Sequence, residues 1–159
     1  AMEALYEAGR IRAIGVCNFK QHHLEKLMSE TDIVPAVNQI EVHPYFNQQE
    51  LQAYCDSKDI AVTAWMPLMR NRGLLEHEVI LKLAERYEKT PAQIVLRWHL
   101  AHNRLIIPKS KTPERIKENY DIFDSQFKIN HSLSNIMIHG LRITEQISIF
   151  KYRKQPSID

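Results

Sequence analysis

A chain of 159 residues, 44% hydrophobic and 25% charged, is the size of one domain and has the balance of an ordinary globular protein. Its formal net charge of +2 is too small to point to nucleic acid or to a membrane surface, and neither partner is expected. Two cysteines, Cys17 and Cys55, make no disulfide framework and fit a reducing compartment. With no apolar run of membrane-spanning length and no signal-like start, the expected localisation is cytoplasmic.

The chain opens on Ala1-Met2-Glu3-Ala4-Leu5, already inside a helical pattern and without a capping residue, which reads as a piece of something longer. Gly9 closes this helix. Ile11 to Val16 reads as a strand, and Leu24, Leu27 and Met28 recur at helical spacing after it. Ala36 to Val42 is the second strand. Asn47 with Glu50 three residues on resembles a capping box, and Leu51, Tyr54 and Cys55 mark one face of the helix it would open.

Ile60 to Ala64 is the third strand, followed by a loop from Met66 to Leu74. Val79, Ile80, Leu83, Ala84 and Tyr87 then keep the 3.6 period. Thr90-Pro91-Ala92-Gln93 is a well-formed helix start, with a Thr cap, Pro in the first turn and Gln reaching back. That helix runs through Trp98. Leu105 to Pro108 is the fourth strand, and Thr112-Pro113 opens a last helix in the same manner.

Four strands separated by helices mean βα units and a parallel sheet. Pattern alone leaves two architectures open, a doubly wound sheet or half of an eight-stranded barrel. Residues 1–124 form one unit and 125–159 a divergent tail. The tail carries five basic residues, Lys128, Arg142, Lys151, Arg153 and Lys154, against Glu145 and Asp159. It is rich in Ile, Ser and Asn and shows no clean period. A short helix around Leu133 to Ile138, broken by Gly140, is the only element expected there, and the tail is read as solvated or disordered.

Parallel α/β folds place their sites at the C-terminal ends of the strands. Here those ends carry Cys17-Asn18, Asn38-Gln39-Ile40-Glu41, Trp65 followed by Met66-Pro67-Leu68, and Lys109-Ser110. Amides inside a buried parallel strand need hydrogen-bond partners, in the protein or in a ligand. Taken singly each reads as structural; four strand ends converging with amide, aromatic and cationic groups read as a site. His22-His23 and His99 with His102 are not read as metal ligands, because no Cys or carboxylate completes either set. No metal is expected. His99 reads as hydrogen-bonded structure on a core helix.

These residues resemble a family. Gly9-Arg-Ile-Arg-Ala-Ile-Gly-Val-Cys-Asn-Phe19 and Ile107-Pro-Lys-Ser-Lys-Thr-Pro-Glu-Arg-Ile-Lys-Glu-Asn119 resemble the two long signatures of the aldo-keto reductases. Val37-Asn-Gln-Ile-Glu-Val-His-Pro-Tyr45 and Thr63-Ala-Trp-Met-Pro-Leu68 fall between them in the family's order, the latter similar to the bacterial branch that includes 2,5-diketogluconate and glyoxal reductases. The resemblance covers about residues 1–124. It implies the C-terminal half of a (β/α)₈ TIM barrel, strands five to eight. It implies NADPH as cofactor and a small carbonyl compound as substrate, reduced to an alcohol.

Residue by residue, the resemblance places Cys17, Asn18 and Gln39 on the nicotinamide carboxamide, a role that suits amides because they both donate and accept. Trp65 would stack on the nicotinamide, with Pro67 and Leu68 beside it. Lys109, Ser110 and Arg115 would take the adenosine 2′-phosphate, and Glu118 and Asn119 the adenine end. No catalytic residue is assigned: the family's Tyr, Lys, Asp and His are expected in an N-terminal half absent here, so the chain alone is expected to be inactive. A half barrel would also expose Val37, Ile40, Val62 and Ile106 and favour self-association through its unpaired edges. Two other readings stay open: a nucleotide-binding module without catalysis, and a truncated product with no independent activity.

Overall fold

Asn38 and Ile40 are buried while residues 37, 39 and 41 beside them stay half-exposed, and this alternation along one strand shows which side of the sheet the helices cover. The computed structural model describes residues 1–124 together with 137–138 and 141–142. The order is α1 (Met2–Glu7), β1 (Gly15–Cys17), α2 (Gln21–Glu30), β2 (Val37–Glu41), α3 (Gln49–Ser57) and β3 (Ala61–Trp65). A 3₁₀ turn at Met69–Asn71 follows, then α4 (Glu78–Tyr87), α5 (Pro91–Ala101), β4 (Leu105–Ile106) and α6 (Pro113–Tyr120). β1 to β4 form one parallel sheet in sequential order. Gly15 pairs with Val37, Asn38 with Val62, and Ala64 with Ile106.

The covered face packs Ile40, Val62 and Ala64 with Leu24 of α2 and Cys55 of α3. A second cluster joins α4 and α5 through Ile80, Leu83, Ile94, Val95 and Trp98, with Leu74 and Ile122 beneath the flanking loops. Ile106 is half-buried and packs against both clusters, so β4 ties the two parts of the core together. Among the described residues, no helix is long and apolar enough to cross a membrane.

Several expectations hold with shortened bounds. Pairing at β1 begins only where the Ala36 N–H reaches the Ile14 carbonyl at 2.8 Å, so residues 11–14 are not strand. β4 stops after two residues, since Pro108 has no N–H to donate and Ile107 is largely exposed. Gly9 takes the left-handed φ of 67° expected of a residue closing a helix. The Thr90 box is present in full: Thr90 Oγ1 accepts from the Gln93 N–H at 3.3 Å and Gln93 Oε1 accepts from the Thr90 N–H at 2.9 Å.

Three expectations are corrected. Asn47 does not cap α3; Gln48, with a left-handed φ of 49°, holds the cap position. The Asn47 side chain and carbonyl instead accept from the guanidinium of Arg104, which is 2% exposed and also donates to Gln52 Oε1 at 2.6 Å. Ile40 and Val62 do not stand exposed, because they face α2 and α3. The face left open carries Val37, Gln39 and Trp65 instead. In the tail, Met137–Ile138 (β5) pairs antiparallel with Leu141–Arg142 (β6), so these residues are strand rather than helix. The remainder of that expected helix lies outside the described residues. The outer edges of β1 and β4 pair with no other strand among the described residues, and self-association rests on those edges alone.

His99 is fully buried on α5, and burial pushes its pKa down to about 3, with the nearby Arg104 charge acting in the same direction. His102, a residue of the same neighbourhood, is pushed down to about 4 by burial. Both rings are therefore neutral when folded and take up protons on unfolding once the pH falls below the ordinary histidine value of 6.5. Stability is expected to be flat above that pH and to fall as the pH drops from 6.5 toward 4, by about 1.4 kcal/mol per pH unit from His99 alone. Urea midpoints measured at several pH values between 7.5 and 5 check this; a midpoint that does not fall would contradict it.

Candidate functional site

Trp65 is the last residue of β3 and the only large aromatic side chain on the open face of the β1–β4 sheet, where it is 43% exposed. A burial pattern that hides Val62 and Ala64 against the helices turns its ring the other way. The chain then bends sharply: Met66 has φ 56°, and the Met69 N–H closes a turn onto the Met66 carbonyl at 2.8 Å. From beneath, buried His99 donates Nε2–H to the Pro67 carbonyl at 3.1 Å. The low pKa of His99 keeps the ring neutral, and this bond fixes its tautomer with the proton on Nε2.

A groove of about 960 Å³ opens here, at the C-terminal ends of β3 and β4. Trp65, Pro67, Leu68 and Arg70 form one wall, and Lys109, Ser110, Arg115, Glu118 and Asn119 the other. Thr90 and Pro91, at the start of α5, also line it. The second wall is built by the start of α6. Pro113 occupies the first turn and Ser110 Oγ accepts from the Thr112 N–H at 3.3 Å, so the serine shapes the approach to the helix. The Thr112 side chain makes no cap bond, unlike that of Thr90. Among the described residues Lys109, Lys111 and Arg115 form no ion pair, so three cations stand free at this helix N-terminus.

Glu118 is partly committed to the fold. Its Oε1 accepts from the Thr90 hydroxyl at 2.5 Å and its carbonyl accepts from Gln93 Nε2 at 3.1 Å, which docks α6 on the capped start of α5. The same Gln93 amide also reaches the Asp121 carbonyl at 2.8 Å.

The structure thus brings seven of the expected residues to one groove: Trp65, Pro67, Leu68, Lys109, Ser110, Arg115 and Asn119, with Glu118 as an eighth that also holds α6. Cys17, Asn18 and Gln39 do not line it. Cys17 pairs with Gln39, and Gln39 with Thr63, two residues before Trp65, so all four share the open face. Asn18 takes φ 57° and its N–H donates to the Gln39 carbonyl at 2.9 Å. Asn38 is fully buried and structural: its Nδ2 donates to the Phe19 carbonyl at 2.8 Å and its Oδ1 accepts from the Phe19 N–H at 3.4 Å. His43 is likewise buried, its Nε2 lying 3.3 Å from Glu41 Oε1, and burial lowers its pKa. Sequence reasoning missed Arg70, whose guanidinium lies 5.7 Å from the Trp65 ring centre. It lies in the loop from Met66 to Leu74, where no periodic signal singles it out.

The family model for the aldo/keto reductases matches residues 1–132. The chain belongs to the aldo/keto reductase family. It is 52% identical over 121 residues to the methylglyoxal reductase DkgA of Yersinia pestis, covering 76% of this chain and 44% of the relative. With the glyoxal reductase of Bacillus subtilis it shares 51% identity over 124 residues, 78% of this chain and 45% of the relative. Among solved structures, an aldo/keto reductase from Brucella melitensis superposes with a TM-score of 0.73 at 48% identity, covering 78% of this chain and 47% of that one. A Gox0644 variant in complex with NADPH gives 0.75 at 46% identity, covering 77% and 45%. The chain spans about half the length of the relatives it matches.

One expectation is overturned at this point. The placement as strands five to eight, the C-terminal half of the barrel, does not stand: the alignment sets the chain against about the first 45% of its relatives, their N-terminal half. A fold built by repeating one βα unit gives its strands no ordinal in the hydrophobic pattern, so only motif resemblance numbers them. The expectation that the catalytic Tyr, Lys, Asp and His lie in a missing N-terminal half falls with that placement.

The register that positions this open face depends on Gly15. A Cβ there would lie 2.5 Å from Val37 Cγ2 and 3.2 Å from the Val37 carbonyl, so a side chain at this position would force Val37 to shift. The substitution Gly15→Ala is expected to cost on the order of 1–3 kcal/mol through overpacking. Chemical denaturation of the variant reads this directly; an unchanged midpoint would show that the strands part without cost.

Proposed function

We propose that this chain supplies the nucleotide-binding groove of an NADPH-dependent carbonyl reductase. The observation that carries the reading is the coexistence, in one groove, of an exposed indole at the end of β3 and free cations at the N-terminus of α6. A phosphate gains from a lysine point charge, from the bidentate fork of an arginine and from the outward N–H groups of a helix start, all of which Lys109, Arg115 and α6 offer together. In this reading Lys109, Ser110 and Arg115 take the 2′-phosphate of the adenosine ribose. Glu118 and Asn119 face the adenine, and Trp65 stacks on the nicotinamide with Pro67 and Leu68 beside it. Cys17 and Gln39 face the carboxamide from the open side of the sheet, with Asn18 directly after Cys17. The relatives named as methylglyoxal and glyoxal reductases support a small aldehyde or ketone as substrate.

Reduction of a carbonyl by hydride leaves an alkoxide that needs a proton donor. Among the described residues, no tyrosine or histidine lines the groove. This favours a second reading in which the chain by itself binds nucleotide without catalysing turnover.

NADPH is expected to bind more tightly than NADH, and Arg115→Ala to weaken NADPH by about ten-fold or more while leaving NADH unchanged. Titration of Trp fluorescence with each nucleotide tests it; equal affinities, indifferent to the substitution, would remove the basis of the proposal.

The purified chain alone is further expected to show no enzymatic turnover of methylglyoxal, because positioned general acid catalysis contributes about 10²–10⁴-fold to such steps. Loss of NADPH absorbance over time is the assay. Turnover that survives repurification and disappears on Trp65→Ala would place the proton donor within this chain.

A further inference from the structure

Arg70 holds an unusual position in the groove. Its guanidinium lies over the Trp65 ring, 5.7 Å from the centroid and within the range of a cation–π contact. Both residues line the same groove. Two carboxylates, Glu76 and Glu118, also line this groove, and neither forms an ion pair with Arg70. Among the described residues Arg70 forms no ion pair, and the ring contact is the interaction that holds its charged end.

The backbone beneath it is also unusual. Met66, Met69 and Arg70 all take left-handed φ values, 56°, 52° and 49°, without a glycine among them. Such conformations disfavour L-residues and persist where the surroundings impose them. Here His99 grips the Pro67 carbonyl from below and the Met69 N–H closes onto Met66, so the segment is pinned at its start and turns back over the indole. The geometry delivers Arg70 to the ring face; an unconstrained arginine on an exposed loop would spend most of its time in water.

We propose that Arg70 is a latch on the Trp65 platform: a positioning residue that occupies the indole face in the unliganded groove and must swing away before a planar ring can stack there. The inference rests on the proposed role of Trp65 as the platform for the nicotinamide, and goes beyond it by naming what competes for that face. One aromatic face holds one planar partner at a time. The nicotinamide end of the nucleotide therefore meets a competitor that the adenosine end, held at Lys109, Ser110 and Arg115, does not meet. Nucleotide binding is then ordered within the groove, with the phosphate-bearing end anchored first and ring stacking following release of the latch. Removing the guanidinium also removes a positive charge from a site for a polyanion, an effect of opposite sign that a single affinity would confound.

The test therefore compares two ligands with the same phosphates, NADPH and 2′-phospho-ADP-ribose, which lacks only the nicotinamide. Both are titrated against the wild-type chain and Arg70→Gln, with circular dichroism confirming the fold of the variant. Their ratio of affinities cancels the charge effect and isolates the ring. The latch predicts that the NADPH preference over 2′-phospho-ADP-ribose rises about two- to five-fold in Arg70→Gln, the size of an exposed cation–π contact. A ratio that is unchanged or falls overturns it. Without ligand, acrylamide quenching of Trp fluorescence is expected to increase in Arg70→Gln as the indole is uncovered, since Trp98 is buried and contributes little; no increase also overturns the latch. If neither ligand binds the wild-type chain, the nucleotide reading itself fails. If both bind and the ratio stays constant, only the latch does.

Discussion

The groove depends on the burial of Ile40, Val62 and Ala64 against α2 and α3. In this sheet α2 and α3 cover the face that carries Ile40, Val62 and Ala64. The period-2 rule then leaves no freedom: if Val62 and Ala64 point to the helices, Trp65 points away, and so does Gln39 through its register with Thr63. A slip of one residue between β2 and β3 would bury the indole and turn Ala64 to the open face. The close approach of Gly15 to Val37 holds β1 in the same register, and Ile106 packs into both halves of the core, so each strand's position is tied to the same interface.

Buried polar groups carry that precision from the sheet into the loops. Asn38, inside β2, binds both backbone groups of Phe19 and so fixes the exit of β1. His99, inside α5, holds Pro67 after β3. Arg104, at the entry to β4, binds Asn47 and Gln52 and packs its guanidinium 4.7 Å from the Trp98 ring centre. Burial draws the Arg104 pKa down to about 10, which still leaves it a cation at neutral pH. Each anchor couples a strand or helix to a segment far away in sequence. A buried donor stripped of its acceptor costs about 1–3 kcal/mol, so these loops do not wander, and the side chains they present are held in place before any ligand arrives.

What was legible in the sequence follows the range of the interaction. The Thr90 box spans three residues, involves only its own helix, and was readable from Thr-Pro-x-Gln. Thr112-Pro113 marked the start of α6 for the same reason, although Ser110 rather than Thr112 supplies the side-chain bond there. The Asn47 signal was just as local and failed, because Arg104, 57 residues further on, takes the side chain that would have capped α3. Ile40 and Val62 lie on the covered face and not the open one, because alternation gives two faces and does not say which of them the helices will cover. The order of the strands within a repeated βα architecture is beyond periodicity for a similar reason: every unit presents the same pattern.

The candidate site divides along the same line. Its cationic end is short-range chemistry, with Lys109, Ser110 and Arg115 strung along one loop and the first turn of one helix, so their convergence is a matter of a few residues. Its aromatic end is a tertiary product. Trp65 is exposed because of a register with β2, its loop is held by a histidine on α5, and Arg70 reaches the ring from a segment in which Met66, Met69 and Arg70 take left-handed φ values. None of these leaves a mark at Arg70 itself, which reads in sequence as one more solvated cation. A groove assembled this way has unpaired cations at one end and, at the other, an aromatic face on a backbone pinned from the core. That asymmetry suits a ligand whose charged end supplies the anchoring energy while its ring has to be set at a defined angle. An arginine over the indole at one end and unpaired cations at the other let the two ends of such a groove respond independently.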